Sequence, residues 1–209
     1  MGLEQILRII ISYLIGSISG SMLMGKIRGV DIRTMGSGNA GGTNAFRTQG
    51  AIFALSVVVV DIAKGYVATY YVSGDFGQGS MLGVLCGIVA VLGHVYPVYY
   101  NFKGGKGAGT LVGILIGLYP FGLLISFSVW LIILVLTGYV GLSTMLAGIS
   151  FPFVIYYENF MGGLNSTIGS FSIIMALFLV FTHRSNIIRM LKGNENRFEK
   201  VMIFRKKSS

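Results

Sequence analysis

From residue 6 to residue 182 the chain is a succession of apolar runs, interrupted only by short polar or glycine-rich breaks. A run of about 20 apolar residues crosses the hydrocarbon core of a bilayer as a helix, and in lipid only a helix or a closed barrel satisfies its own backbone. Runs of this kind occupy residues 6–24, 52–72, 80–100, 142–157 and 167–182. The stretch 107–137 is long for one crossing and carries Tyr119-Pro120 in its middle, so it reads as two short spans turning at Pro120. The expectation is an all-α polytopic bundle of about seven transmembrane helices, forming a single integral-membrane domain over residues 1–209. The first run is followed at once by Lys26 and Arg28 with no small-x-small site, which makes it a retained helix rather than a cleaved leader.

Composition agrees. Hydrophobic residues make up 54% and charged residues 11%, against about 25% charged in soluble domains. So few charges cannot clothe a water-exposed surface. The net charge of +9 therefore does not point to nucleic acid, and the positions of the charges carry the information. Of the 16 Lys and Arg residues, all but Arg8 and Lys64 fall in three segments, about 26–50, 101–110 and from 183 to the end. The breaks at 73–79 and 159–165 carry none. Basic loops stay cytoplasmic, which puts the N-terminus outside and the C-terminus inside. Cys86 is the single cysteine and lies in an apolar run, so there is no disulfide framework. Two histidines, His94 and His183, leave little scope for a metal site, and none is expected.

Within the spans, Gly16 and Gly20, Gly83 and Gly87, and the row Gly109, Gly113 and Gly117 recur at four-residue spacing. Such faces let helices approach closely in lipid. Asp61 and Lys64 are three apart on one face in mid-span. Charges there are costly unless paired, so an internal ion pair is expected.

The three basic segments hold the chemistry. The first, 36–48, alternates Gly with Ser, Asn and Thr and ends on Arg47-Thr48. Backbone N–H groups, hydroxyls, amides and one guanidinium fork are the parts of an anion cradle. The second, 102–110, places Lys103 and Lys106 among Gly104, Gly105 and Gly107 at the start of a helix, which again suits phosphate. It is not a Walker A loop, because Gly107 rather than Ser or Thr follows Lys106. The third, 183–189, sets His183 and Asn186 on one helix face. All three lie on one side of the membrane, so the site should handle a phosphorylated substrate beside the bilayer. A serine elbow Gly-x-Ser-x-Gly is absent, as is a His-x4-Asp signature. Direct transfer is therefore favoured over a covalent intermediate.

Taken together, Gly36-Ser37-Gly38-Asn39 through Arg47, Gly93-His94-Val95-Tyr96-Pro97-Val98 through Thr110, and His183-Arg184-Ser185-Asn186-Ile187 through Gly193 and Glu195 resemble the bacterial integral-membrane acyl-phosphate:glycerol-3-phosphate acyltransferases of PlsY type. The match runs end to end with motif order kept. It departs at Ala40, where the family commonly has Pro, at Gly42, where Ala is usual, and at Ser185, where a Glu often stands. The resemblance implies transfer of a fatty acyl group from acyl phosphate to the 1-hydroxyl of sn-glycerol 3-phosphate, releasing lysophosphatidic acid and phosphate. It implies no cofactor, a monomer in the bacterial inner membrane, membrane lipids as surroundings, and an active site on the cytoplasmic face. By the same resemblance Ser37, Arg47, Lys106, His183 and Asn186 form the catalytic set. Gly38, Asn39, Thr43, Asn44, Lys103, Gly104, Gly105 and Gly107 serve substrate binding, and His94, Asp61, Lys64 and Glu195 give structural support. The basic tail, 197–209, is expected to be solvated and lipid-facing. A transporter of phosphorylated small molecules is the rival reading. It needs a polar route across the whole membrane, for which only Asp61 and Lys64 are available.

Overall fold

A computed structural model describes residues 1–160 and 166–203. The expected external break at 159–165 and the tail cations Arg205, Lys206 and Lys207 fall largely or wholly outside the described residues. Among the described residues there are helices and turns and no strand. The helices are α1 (Leu3–Gly16), α2 (Gly20–Arg28), α3 (Gly42–Gln49), α4 (Ala51–Tyr66), α5 (Met81–Val95), α6 (Ala108–Leu118), α7 (Pro120–Thr137), α8 (Val140–Phe160), α9 (Ser166–Thr182) and α10 (Arg184–Leu191). By backbone contacts the chain divides into two compact units, Met1–Pro120 and Phe121–Ser209.

Among the described residues four helices are long and apolar enough to cross a membrane: Ala51–Val72, Met81–Tyr100, Pro120–Thr137 and Val140–Glu158. Two bent pairs pass the same test jointly, α1 with α2 at 42° and α9 with α10 at 51°, which brings the number to six. The run expected as one span over 6–24 is thus broken. Ser17, Ser19 and Ser21 are buried at the break, and the Ser19 hydroxyl accepts from the Met22 N–H at 3.5 Å to start α2 afresh. The long stretch after Gly107 divides at Tyr119, with Pro120 opening α7, as a proline at a helix start does. Its first half, α6, has 11 residues. At 1.5 Å per residue that is roughly 17 Å, about half a hydrocarbon core.

In the first unit α1 packs on α5 and α4 on α6. The glycines explain how closely. A Cβ on Gly16 would strike the Ala90 main chain, one on Gly93 the Tyr13 carbonyl, and one on Gly113 the Ile62 carbonyl. Backbones in lipid gain by such approach because apolar side chains find lipid as good a partner as each other. Beyond α4 the helix widens into a π turn, Val67–Val72, whose end is held by Arg8 donating to the Ser73 carbonyl at 2.6 Å. In the second unit α8 packs on α9, and α10 touches both.

Candidate active site

The first polar loop runs from a short 3-10 turn, Ile32–Thr34, to α3. Asn44, in the first turn of α3 and 1% exposed, reaches back into it. Its Oδ1 accepts the Ser37 N–H at 2.9 Å, while Nδ2 donates to the carbonyls of Ile32 at 2.9 Å and Met35 at 3.0 Å. Gly36, at φ 55°, lies so close that a Cβ would collide with Asn44 Oδ1. The Gly38 N–H is bonded to the Met35 carbonyl at 2.9 Å. The amides of Ser37 and Gly38, expected to cradle an anion, are therefore spent in holding the turn. Ser37 is left exposed on the turn. Arg47 lies three residues beyond Asn44 on α3, a spacing that puts both on one helix face. Asn39 and Thr43 are half-buried, and the Asn39 amide nitrogen lies against Gly41.

The second loop is built the same way. Gly104 N–H donates to the Val95 carbonyl at 3.1 Å and Gly105 N–H to the His94 carbonyl at 3.2 Å. A Cβ at Gly104 would meet the His94 carbonyl and Pro97, and one at Gly105 would meet the His94 ring and the Ala40 carbonyl. These glycines are needed for packing against protein. Gly107, at φ 90°, opens α6. The N–H groups of Ala108, Gly109 and Thr110 have no intrahelical partner by helix geometry, and they present the positive end of the helix dipole directly after Lys106. Lys103 is exposed.

The two loops meet, since a Gly105 Cβ would lie 3.0 Å from the Ala40 carbonyl. That carbonyl also accepts from the Ser21 hydroxyl at 3.2 Å. They meet at depth. A Cβ on Gly109 would lie 3.2 Å from the Asp61 Cβ, so α6 begins level with a residue ten positions, about 15 Å, along α4. Its far end reaches the 73–79 break, where Gly77 lies against the Gly117 carbonyl. The helix is short because the chain before it, up to Gly107, runs as irregular backbone alongside α4 and α5.

Beneath this loop lies a buried charge cluster. Lys64 Nζ is 2.9 Å from Asp61 Oδ1, 2.8 Å from His94 Nδ1 and 2.7 Å from the Ile18 carbonyl. Asp61 also accepts the Gly20 N–H at 3.3 Å. None of the three side chains is more than 5% exposed. The cluster is enclosed within the first unit.

In the second unit His183 caps α10 at 5% exposure. Its Nδ1 is 2.8 Å from the Leu179 carbonyl. A carbonyl only accepts, so Nδ1 carries a proton. Asn186, 7% exposed, donates through Nδ2 to Glu195 Oε1 at 2.9 Å. Arg189 Nε binds Glu195 Oε2 at 2.6 Å. Glu195 thus ties both helix residues to the chain beyond α10. Ser185 is exposed.

Some supporting residues were not singled out from sequence. Arg33 grips Asp31 through Nε and Nη2, at 3.0 and 2.7 Å, and donates from Nη1 to the Tyr100 carbonyl at 3.3 Å. It thereby links the first loop to the second. The Arg33 guanidinium holds the Asp31 carboxyl below its ordinary value. The Asp-x-Arg spacing was a local signal for that pair, whereas nothing local marked Ser21 or Arg189.

The sequence profile of the family described as glycerol-3-phosphate acyltransferase matches residues 6–193. The chain is 39% identical to a glycerol-3-phosphate acyltransferase of Chlorobium limicola, over 90% of this chain and 93% of that one. It is 38% identical to one of Thermosipho melanesiensis, over 97% and 96%. Its fold is similar to crystal structures of PlsY, an integral membrane glycerol 3-phosphate acyltransferase. The glycerol 3-phosphate form superposes with a TM-score of 0.86 at 36% identity, over 93% of this chain and 95% of that one. The lysophosphatidic acid form gives 0.83 at 35% identity, over 92% and 94%.

Proposed function

The chain belongs to the glycerol-3-phosphate acyltransferase family, and from this we propose that it transfers a fatty acyl group from acyl phosphate to the 1-hydroxyl of sn-glycerol 3-phosphate. The hydroxyl oxygen attacks the acyl carbonyl carbon, an ester C–O bond forms, the bond to the phosphate oxygen breaks, and lysophosphatidic acid and phosphate leave. Acyl phosphate is an activated mixed anhydride, so positioning and charge stabilisation suffice, with no acyl-enzyme. PlsY structures described as glycerol 3-phosphate and lysophosphatidic acid forms fit substrate and product of such a step.

The observation that carries this reading is the recessed meeting of two loops. Gly105, one residue before Lys106, lies against the Ala40 carbonyl of the Ser37 loop, and Gly109 in the first turn of α6 lies against Asp61. A phosphate monoester entering from water meets cations and helix N–H groups there, while an acyl chain stays in lipid. We assign phosphate binding to Arg47, Lys106 and the first turn of α6, with the Ser37 hydroxyl as a donor. Asn44, Gly104 and Gly105 serve by shaping the loops. By the family resemblance His183 is proposed to take the hydroxyl proton, with Asn186 and Glu195 fixing α10. We read the N-terminus as external, α6 as a shortened crossing that brings the total to seven, and the basic segments as facing the cytoplasm in a bacterial inner membrane. The test is the purified chain in detergent offered glycerol 3-phosphate with acyl phosphate, an acyl thioester of coenzyme A, or an acyl-carrier-protein thioester. Lysophosphatidate should form with acyl phosphate alone. Equal use of a thioester would overturn the donor assignment.

A further inference from the structure

The buried cluster of Asp61, Lys64 and His94 has no part in the transfer step, yet it touches the loop assigned to phosphate. An ammonium has three N–H donors and accepts nothing. Lys64 has three acceptors within 2.9 Å, the Ile18 carbonyl, His94 Nδ1 and Asp61 Oδ1. His94 Nδ1 also lies 3.4 Å from Asp61 Oδ1. The ring is thereby fixed at one edge by the Asp61–Lys64 pair. Its other edge faces Gly105, where a Cβ would strike Nε2 and come within 3.0 Å of Cε1. The His94 main-chain carbonyl in turn accepts the Gly105 N–H at 3.2 Å. One residue therefore holds Gly105 from two directions, one residue before Lys106.

We infer that His94 is a positioning residue for the Gly104–Gly105 turn, setting where Lys106 and the start of α6 meet the phosphate of glycerol 3-phosphate. The inference rests on the reading of that loop as the phosphate site. It assigns the mid-membrane charges to a rigid post, Asp61 and Lys64 aligning the ring and the ring setting the loop.

Two isosteres separate the edges of the ring. In His94→Asn the amide oxygen can take the place of Nδ1 and keep Lys64 satisfied, while the support under Gly105 disappears. In His94→Gln the amide nitrogen stands near Nε2 and the support remains. On purified, folded protein, His94→Asn should raise KM for glycerol 3-phosphate about tenfold and leave KM for acyl phosphate unchanged, with His94→Gln nearer the parent. Gly105→Ala alone collides with the ring. Combined with His94→Asn, two of its three nearest contacts are gone, so the double variant should be less impaired than the product of the single effects by roughly tenfold, within the range for residues in contact. Should His94→Asn not fold, the cycle is run with His94→Gln, which keeps the clash and should show no relief. Independent, multiplying effects of His94→Asn and Gly105→Ala, relief of Gly105→Ala by His94→Gln, or equal losses in both KM values, would overturn the inference. Lys106→Gln distinguishes the underlying reading. A raised KM there with an additive 94/105 cycle sinks the role of His94 alone, whereas an unmoved KM there sinks the phosphate role of the loop and the His94 effect with it.

Discussion

Asn44 Oδ1 lies 2.9 Å from the main-chain nitrogen of Ser37, and the other atom of the same amide holds the carbonyls of Ile32 and Met35. One buried side chain thus closes the turn that presents the Ser37 hydroxyl. Asn44→Ala removes all three bonds. The Ile32 and Met35 carbonyls keep the N–H groups of Met35 and Gly38, so the cost is the loss of the side chain that closes the turn, about 0.5–1.5 kcal/mol for each bond. Activity should fall at least tenfold, with a lower melting temperature in detergent. Asn44→Asp keeps the acceptor for Ser37 but loses both donors, and should fall between. If Asn44→Ala retains normal turnover, the placement of Ser37 does not depend on this turn.

Arg47→Lys keeps the charge and loses the planar fork that can hold two phosphate oxygens. The expected loss is one charged hydrogen bond, about 1.5–3 kcal/mol, or roughly ten- to a hundredfold in kcat/KM. Lys200→Gln, in the chain beyond Glu195, should leave turnover per folded molecule intact. Both are scored against folded protein. The reverse pattern would put phosphate binding elsewhere.

The all-helical membrane architecture, the division near Pro120 and the three polar segments were legible in the sequence, because lipid forces apolar length, whereas four to six of the described helices or bent pairs are long enough to cross. Which groups each loop spends on itself was not legible. The glycines at 104 and 105 suggest free amides, yet their N–H groups go to His94 and Val95, residues on a separate helix. The bend at 17–19 and the depth of α6 were hidden for the same reason, since both are set by packing against α4 and α5. His94 could be placed in a motif, but its contact with Gly105 and its bond to Lys64 join residues far apart in the chain.

Breaking the Asp61–Lys64 pair from one side leaves an uncompensated buried charge. Lys64→Met should destabilise the folded chain by about 3–5 kcal/mol, seen as loss of the melting transition or of monodisperse protein. The double variant Asp61→Leu, Lys64→Met removes both charges and should recover much of that stability. If Lys64→Met is as stable as the parent, the pair is not what braces α4.

The Asp31–Arg33 pair adds a small pH dependence of stability. The side-chain hydrogen bond from Arg33 lowers the Asp31 pKa in the folded chain below its ordinary 3.8. Its contribution is therefore fully present above about 3.8 and is lost as pH falls through the lower folded value. The pair is partly exposed, so the effect is about 0.2–1 kcal/mol. Arg33→Gln should lower the melting temperature slightly at neutral pH and flatten its fall below about pH 4. An identical acid profile in the variant would remove Arg33 as the cause.

The central claim is direct acyl transfer by this chain. It is tested most directly with the purified protein, acyl phosphate and radiolabelled glycerol 3-phosphate, following label and released phosphate together. The account predicts that label passes into lysophosphatidate, that one phosphate is released for each label transferred, and that neither product forms when either substrate is omitted. Phosphate release without glycerol 3-phosphate, or label that only accumulates unmodified inside sealed vesicles carrying the protein, would contradict it.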